Sequence, residues 1–155
     1  MLRLRDEGKV RAVGLSCHDR KLLGELADKG DLDVLMLRYN AAHRGAEQDI
    51  FPHLAAHDLG TISYTATRWR YLMRRPKQWP KEERIPNAGM CYRFVLSNEN
   101  VDVCLTAPMN IRQLKENMRA VAQGPLSEDD MEFMRKFGDV VHGGSKMLKW
   151  DEKWS

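Results

Sequence analysis

Residues 101–121 have the sequence VDVCLTAPMNIRQLKENMRAV, which predicts a buried strand, a sharp turn and an amphipathic helix. The strand is predicted from a short apolar run that favours β structure, made of Val101, Val103, Cys104 and Leu105. Pro108 ends that run. The helix is predicted from four apolar residues at helical spacing, Ile111, Leu114, Met118 and Val121. A helix that begins just after a strand can bind an anion at its N-terminus, although such a unit is more often purely structural.

The same strand-and-helix unit recurs along the chain. Strands are predicted at residues 9–16, 33–39, 61–65 and 101–106, and each is followed by a helical pattern. The predicted helix at 46–57 contains Pro52, which should kink it or restart it. Leu22, Leu23, Leu26 and Ala27 are predicted to form the buried face of the helix that Asp19 caps. Four alternations of strand and helix predict an α/β protein with a parallel sheet.

Composition limits the class of protein. The chain has 155 residues, of which 43% are hydrophobic and 30% charged, as expected for a globular domain. A net charge of +3 is too small to indicate a nucleic-acid partner. No apolar run has the roughly 18 residues that a membrane helix needs. The three cysteines have no CxxC spacing, so a reducing cytoplasm is the simplest location.

Several short motifs resemble the aldo-keto reductases, whose TIM barrel ends with a strand, a Pro-containing turn and a helix that carries Glu-Asn. That pair is Glu116-Asn117 here, and the sequences RFVLSN at 93–98 and GPLS at 124–127 also resemble the family. The resemblance covers residues 1–142 and implies the second half of the barrel, strands five to eight. Residues 143–155 are then a polar C-terminal tail. A complete barrel needs eight units in roughly 250 residues, so this chain corresponds to a partial barrel.

The resemblance implies a nicotinamide site at the ends of the first three strands. Ser16 matches a serine that holds the carboxamide, whereas Cys17 stands where the family usually has asparagine. Tyr64 matches the tyrosine that stacks on the nicotinamide ring. Met36 stands where glutamine is usual, which weakens the match.

The resemblance also implies that the rest of an NADP(H) molecule binds nearby. Arg68 is the best-placed cation of a basic loop expected to cover the pyrophosphate. The segment expected to hold the adenosine end contributes Asn110, Arg112, Gln113, Glu116 and Asn117. Arg112 can supply the charge that favours the 2′-phosphate, so NADP is favoured. NAD stays open as the alternative cofactor. Alternatively, the basic loop is a solvated surface that binds no phosphate. Glu116 and Asn117 could likewise be solvent-facing helix residues with no ligand.

Two other kinds of site are less favoured. His53 and His57 are four residues apart and could hold a metal, but with no third ligand in sight we expect two surface histidines and no metal. A nucleic-acid-binding module would rest on the basic loop at 68–84 alone.

Two functional hypotheses remain. In the first, the chain is the cofactor-binding half of an NAD(P)H-dependent oxidoreductase that reduces carbonyl compounds or oxidises alcohols. The family's catalytic Tyr, Lys, Asp and His come from the first half of the barrel, so no catalytic residue can be assigned here, and it stays open whether this chain is an enzyme by itself. In the second, the chain is a half-barrel interaction module that forms a homodimer or pairs with a separate first half, because a cut barrel exposes two sheet edges.

Overall fold

The computed structural model describes residues 1–144, so all but the first two residues of the tail predicted at 143–155 lie outside the described residues. The strands are β1 (Gly14–Ser16), β2 (Val34–Arg38), β3 (Gly60–Tyr64) and β4 (Val103–Cys104). The α-helices are α1 (Leu2–Asp6), α2 (Arg20–Ala27), α3 (Ala46–Asp49), α4 (Ala88–Leu96), α5 (Ile111–Val121) and α6 (Glu128–Gly143). Two short 3₁₀ turns, Phe51–His53 and Tyr71–Met73, complete the described elements.

The four strands form one parallel sheet in the order β1-β2-β3-β4. Residues in register share a face, and one such row is Ser16, Met36, Ile62 and Val103. Each strand therefore pairs in parallel with the next strand along the chain. Such strands are joined by crossover connections of one hand, as in (β/α) units. The predicted α/β fold is therefore confirmed.

Helices cover one face of this sheet. Leu35 and Leu37 of β2 are almost fully buried, whereas Val34, Met36 and Arg38 on the other face are only half-buried. The covered face joins the helices in one apolar core whose largest members include Tyr39, Phe94, Phe137, Leu23 and Leu72. The opposite face, which carries Val34, Met36 and Arg38, is only partly covered within residues 1–144 and is called the inner face below.

Polar side chains begin four of the helices. Asp19, Asn87, Asn110 and Ser127 each accept a hydrogen bond from the backbone N–H three residues later. Each cap satisfies an N–H that the helix itself cannot pair, so the cap fixes where the helix starts. The helix predicted at 46–57 is interrupted as expected from Pro52, because α3 ends at Asp49 and a 3₁₀ turn follows.

The structure differs from the sequence prediction at both edges of the sheet. β1 has three residues and β4 has two, which is fewer than predicted, because each pairs on one side only within residues 1–144. The prediction that Leu22 is buried is wrong, since its side chain is 43% exposed. α2 packs on α3 where Gly24 lies close to Asp49, and its buried residues are Leu23, Gly24 and Ala27, which leaves Leu22 facing solvent.

α5 forms as predicted, but its apolar side faces solvent instead of the core. Its one buried residue is Asn117, while its four apolar side chains are exposed by 39% to 69%. α5 packs on α4, where Gly89 lies close to Ala120, and no strand beyond β4 within residues 1–144 covers its apolar side.

Candidate functional site

The carboxyl ends of the parallel strands lie along one edge, where (β/α) barrels place their functional residues. A cleft of about 300 Å³ opens between the loops that follow β3 and β4 and the helices α4 and α5. Its lining residues are Thr67, Arg70, Met73, Ala88, Tyr92, Ala107, Pro108, Met109, Gln113, Glu116 and Asn117. The structure thus brings together three of the residues predicted to bind adenosine: Gln113, Glu116 and Asn117.

The rim of the cleft is set by the first turn of α5. Asn110 caps the helix by accepting from the N–H of Gln113 at 3.0 Å. The Gln113 side-chain oxygen accepts in turn from the N–H of Met109 at 2.8 Å. Asn110 therefore does not line the cleft but fixes the backbone of the turn beside it. Met109 is 82% exposed and lies at the mouth of the cleft.

A chain of hydrogen bonds lies beneath the cleft. Asn117 is 9% exposed and donates through Nδ2 to the Thr106 hydroxyl at 3.0 Å. Thr106 donates to the Tyr92 hydroxyl at 2.9 Å. This chain joins α5, the end of β4 and α4, and it explains why a polar residue occupies the inward position of α5.

Among the described residues, the cation that lines this cleft is Arg70. Arg68, the predicted cation, is 4% exposed and donates through Nη1 to the carbonyl oxygen of Val141 at 2.7 Å, near the end of α6. Arg70 is exposed and lines the cleft. The exposed side chain of Arg112 does not line it and lies 3.8 Å from Glu116.

Backbone conformation explains why sequence reasoning chose a different arginine. Thr65, Arg68, Trp69 and Arg70 all have positive φ values, between 48° and 71°. Non-glycine residues adopt this region at a cost, and such residues cluster at functional sites. The Asn40 side chain holds the turn by donating to the carbonyl oxygen of Thr65 at 2.9 Å. Neighbouring side chains in a left-handed turn point differently than in extended backbone, and no sequence signal indicated this turn.

The residues predicted at the nicotinamide end lie at the ends of β1 and β3. Ser16 is exposed on the inner face, in register with Met36. The hydroxyl of Tyr64 lies 3.2 Å from Nδ1 of His18, and the two rings meet edge to face with centroids 6.2 Å apart. Cys17 is half-buried and faces a small cavity that it shares with His18 and His43. Sequence reasoning missed this pairing of His18 with Tyr64.

Burial controls the protonation of several groups near these sites. Burial raises the pKa of Cys104 to about 12, and that of Cys91 likewise, so both are neutral thiols. Burial, with the nearby cations Arg38 and Arg68, lowers the pKa of His43 to about 3. His43 is therefore a neutral imidazole at physiological pH.

Within residues 1–144, no group of three or more His, Cys, Asp or Glu side chains could hold a metal ion. His53 pairs with the Asp28 carboxylate at 2.9 Å, and His57 contacts the Asp28 carbonyl oxygen at 2.9 Å. In the same part of the chain, no helix has the length and hydrophobicity to cross a membrane.

Comparisons with known proteins agree with the fold described above. The sequence model of the aldo/keto reductase family matches residues 1–69. Among solved structures, the aldo-keto reductase AKR11C1 from Bacillus halodurans is 21% identical, with a TM-score of 0.69, and the match covers 87% of this chain and 52% of that one. The glycerol dehydrogenase AKR11B4 from Gluconobacter oxydans is 20% identical, with a TM-score of 0.64, and the match covers 88% of this chain and 51% of that one. A comparison with curated proteins found no match.

The resemblance to the aldo-keto reductases is therefore confirmed, and the fold is a partial (β/α) barrel of their kind. The chain spans about half the length of these structural neighbours. The correspondence to strands five to eight, the domain boundary at residue 142 and the individual cofactor contacts stay predictions.

Proposed function

We propose that this chain is the NADP(H)-binding part of an aldo-keto reductase-like oxidoreductase that acts on small carbonyl compounds in the cytoplasm. The observation that carries the proposal is the cleft beside α5, where Arg70, Gln113, Glu116 and Asn117 converge at the carboxyl edge of the sheet. Clefts of about this size, apolar with a few polar groups, are typical of small-molecule sites.

The residues present fit the adenosine end better than the nicotinamide end. Arg70 is an exposed cation suited to a phosphate, and the amide of Gln113 and the carboxylate of Glu116 suit the polar edge of an adenine ring. At the other end, Tyr64 offers an aromatic face and Ser16 a hydroxyl on the inner face of the sheet. Met36 has no strong hydrogen-bonding group there.

The bound cofactor would supply a hydride to the carbonyl carbon of the substrate. The residues of this chain would bind and orient it, with Tyr64 supporting the flat ring and the loop that carries Arg70 holding phosphate. Proton transfer to the substrate oxygen needs an acid that we do not assign to this chain. We therefore expect the purified chain to bind the cofactor without reducing carbonyl compounds.

Calorimetric titration with NADPH tests the proposal, with NADH as the comparison. Arg70→Ala should weaken NADPH binding by about tenfold, because it removes a charge-assisted contact to phosphate. Lys77→Ala is the matched control, since Lys77 is exposed in the same basic segment but does not line the cleft. The proposal fails if folded wild-type protein does not bind NADPH, or if both variants weaken binding equally.

A cofactor fragment separates the two ends of the site. Adenosine 2′,5′-bisphosphate carries the adenosine and the 2′-phosphate but no nicotinamide. Tyr64→Ala should weaken binding of NADPH and leave binding of the fragment unchanged, whereas Arg70→Ala should weaken both. Tyr71→Ala, which removes an exposed aromatic ring from the neighbouring loop, should change neither. Equal loss of fragment binding in Tyr64→Ala would contradict this assignment.

A second function has its own support. The exposed apolar side of α5 and the two sheet edges that are unpaired within residues 1–144 favour a half-barrel that associates with another half, either a separate first half or a second copy. The groove beside the apolar side of α5 is adjacent to the cleft and shares Tyr92 and Asn117 with it. Arg70 and Gln113 line only the cleft, whereas Met118 lines only the groove, so variants at these positions test the two functions separately.

A further inference from the structure

His18 and Tyr64 form a side-chain contact at the carboxyl edge of the sheet. The Tyr64 hydroxyl lies 3.2 Å from Nδ1 of His18, within hydrogen-bond distance, and the planes of the two rings meet at 76°. A hydroxyl both donates and accepts, so it can bond to Nδ1 in either tautomer of the imidazole. The contact joins residues that are 46 positions apart in the chain, so it ties together two segments that local structure does not connect.

The contact spans β2, the strand that lies between β1 and β3. His18 follows Ser16, the last residue of β1, by two positions, and Tyr64 is the last residue of β3, in register with Arg38 of β2. Neighbouring strands lie about 4.8 Å apart, so β1 and β3 are separated by about 10 Å and need two long side chains to bridge them. The bond between His18 and Tyr64 therefore couples the loop after β1 to the end of β3.

The coupled residues lie where the nicotinamide end of the cofactor is proposed to bind. Met36 has no strong hydrogen-bonding group there, and the Cys17 thiol is a weak donor. Of the residues predicted at this end, Ser16 and Tyr64 then remain to hold the ring. A side chain that is already fixed loses less conformational freedom when a ligand binds, so a fixed Tyr64 ring gives tighter binding than a mobile one.

We propose that His18 is a positioning residue that fixes the Tyr64 ring in the orientation that supports the nicotinamide, a role that rests on the proposed function. His18 acts through Tyr64 and not on the cofactor. Its Nδ1 contacts the hydroxyl, which lies at the rim of the tyrosine ring, so His18 leaves the flat faces of that ring free for a ligand. The same bond holds the segment that follows Ser16, so it orders both residues proposed to hold the nicotinamide.

Calorimetric titration of the full chain with NADPH and with adenosine 2′,5′-bisphosphate tests this role. His18→Phe keeps a ring and removes Nδ1, so it should weaken NADPH binding about fivefold, as expected for one hydrogen bond, and leave binding of the fragment unchanged. His18→Asn can place an amide atom near the position of Nδ1, so it should restore NADPH affinity to within about twofold of wild type. His57→Phe is the matched control, because His57 is an exposed histidine that contacts Asp28 at the C-terminal end of α2, and it should change neither affinity.

A double-mutant cycle separates positioning of Tyr64 from a general effect on the fold. Tyr64→Phe keeps the aromatic ring and removes the hydroxyl that His18 contacts. In that background His18→Phe should weaken NADPH binding no further, because the bond is already absent. Losses that multiply as independent effects would overturn the proposal. It would also be overturned if His18→Asn bound NADPH as weakly as His18→Phe, or if His18→Phe weakened binding of the fragment equally.

The same titrations distinguish a failure of this role from a failure of the proposed function. If folded wild-type protein binds neither NADPH nor the fragment, the proposed function is wrong, and the role of His18 is wrong with it. If wild type binds both ligands and His18→Phe binds NADPH as tightly as wild type, cofactor binding stands and positioning by His18 is refuted. Because His18 is exposed, its variants should keep the circular dichroism spectrum of wild type.

Discussion

His43 should make the stability of this protein depend on pH. The residue is 8% exposed, and its Nε2 is buried with no hydrogen-bond partner among residues 1–144. The ring of His142 lies 5.4 Å away, centroid to centroid. Burial first, and the nearby cations Arg38 and Arg68 second, lower the pKa of His43 from 6.5 to about 3. The folded protein therefore holds a neutral imidazole that the unfolded chain can protonate.

The size of the effect follows from these two pKa values. Between pH 3 and pH 6.5 the unfolded state binds one proton more than the folded state, so stability falls as pH falls through this window and is fully present above it. Each pH unit below 6.5 costs about 1.4 kcal/mol. Between pH 7.5 and pH 5.5 the loss from His43 alone is therefore about 1.4 kcal/mol.

Urea unfolding of wild type and His43→Gln at pH 7.5 and pH 5.5 measures the contribution of His43 to the free energy of unfolding. The variant should be less stable at pH 7.5, yet it should lose about 1.4 kcal/mol less than wild type when the pH falls to 5.5. Titration of the His43 ring by NMR gives an independent reading, because its Cε1–H shift should stay constant down to pH 5. Equal losses in the two proteins, or a ring that titrates near pH 6.5, would refute the reasoning.

Two further pairs of variants test the packing. Gly138→Ala should destabilise the fold by about 3 kcal/mol, because its Cβ would meet the Ala41 carbonyl oxygen far inside van der Waals contact, whereas Gly143→Ala in the same helix meets open space and should cost nothing. Leu23→Ala should cost about 3 kcal/mol because it empties a fully buried position, whereas Leu22→Ala should cost less than about 1 kcal/mol. Chemical unfolding measures all four, and equal losses within either pair would contradict the packing described here.

Local patterns in the sequence predicted most of the fold. Alternating strands and helices indicated the parallel sheet, because a parallel connection needs a crossover and a helix is the usual one. Asp19 was correctly predicted as a helix cap, because a cap depends only on the carboxylate and the backbone N–H of Leu22 three residues later. Pro52 was correctly predicted to interrupt its helix, since it lacks an N–H of its own.

The sequence by itself determined the order of the strands and helices and the positions where caps begin them, because those preferences depend on neighbours within a few positions. The short lengths of β1 and β4 depend on strand pairing, which is tertiary. Only the tertiary structure decided which way side chains point where the backbone leaves regular geometry or the packing ends. Arg68 turns to the end of α6 and Arg70 to the cleft because positive φ values redirect the loop between them. α5 shows its apolar side to solvent because Asn117 bonds inward to Thr106 and the sheet stops at β4 within the described chain. Those outcomes depend on contacts between distant segments, which a pattern of nearby residues does not contain.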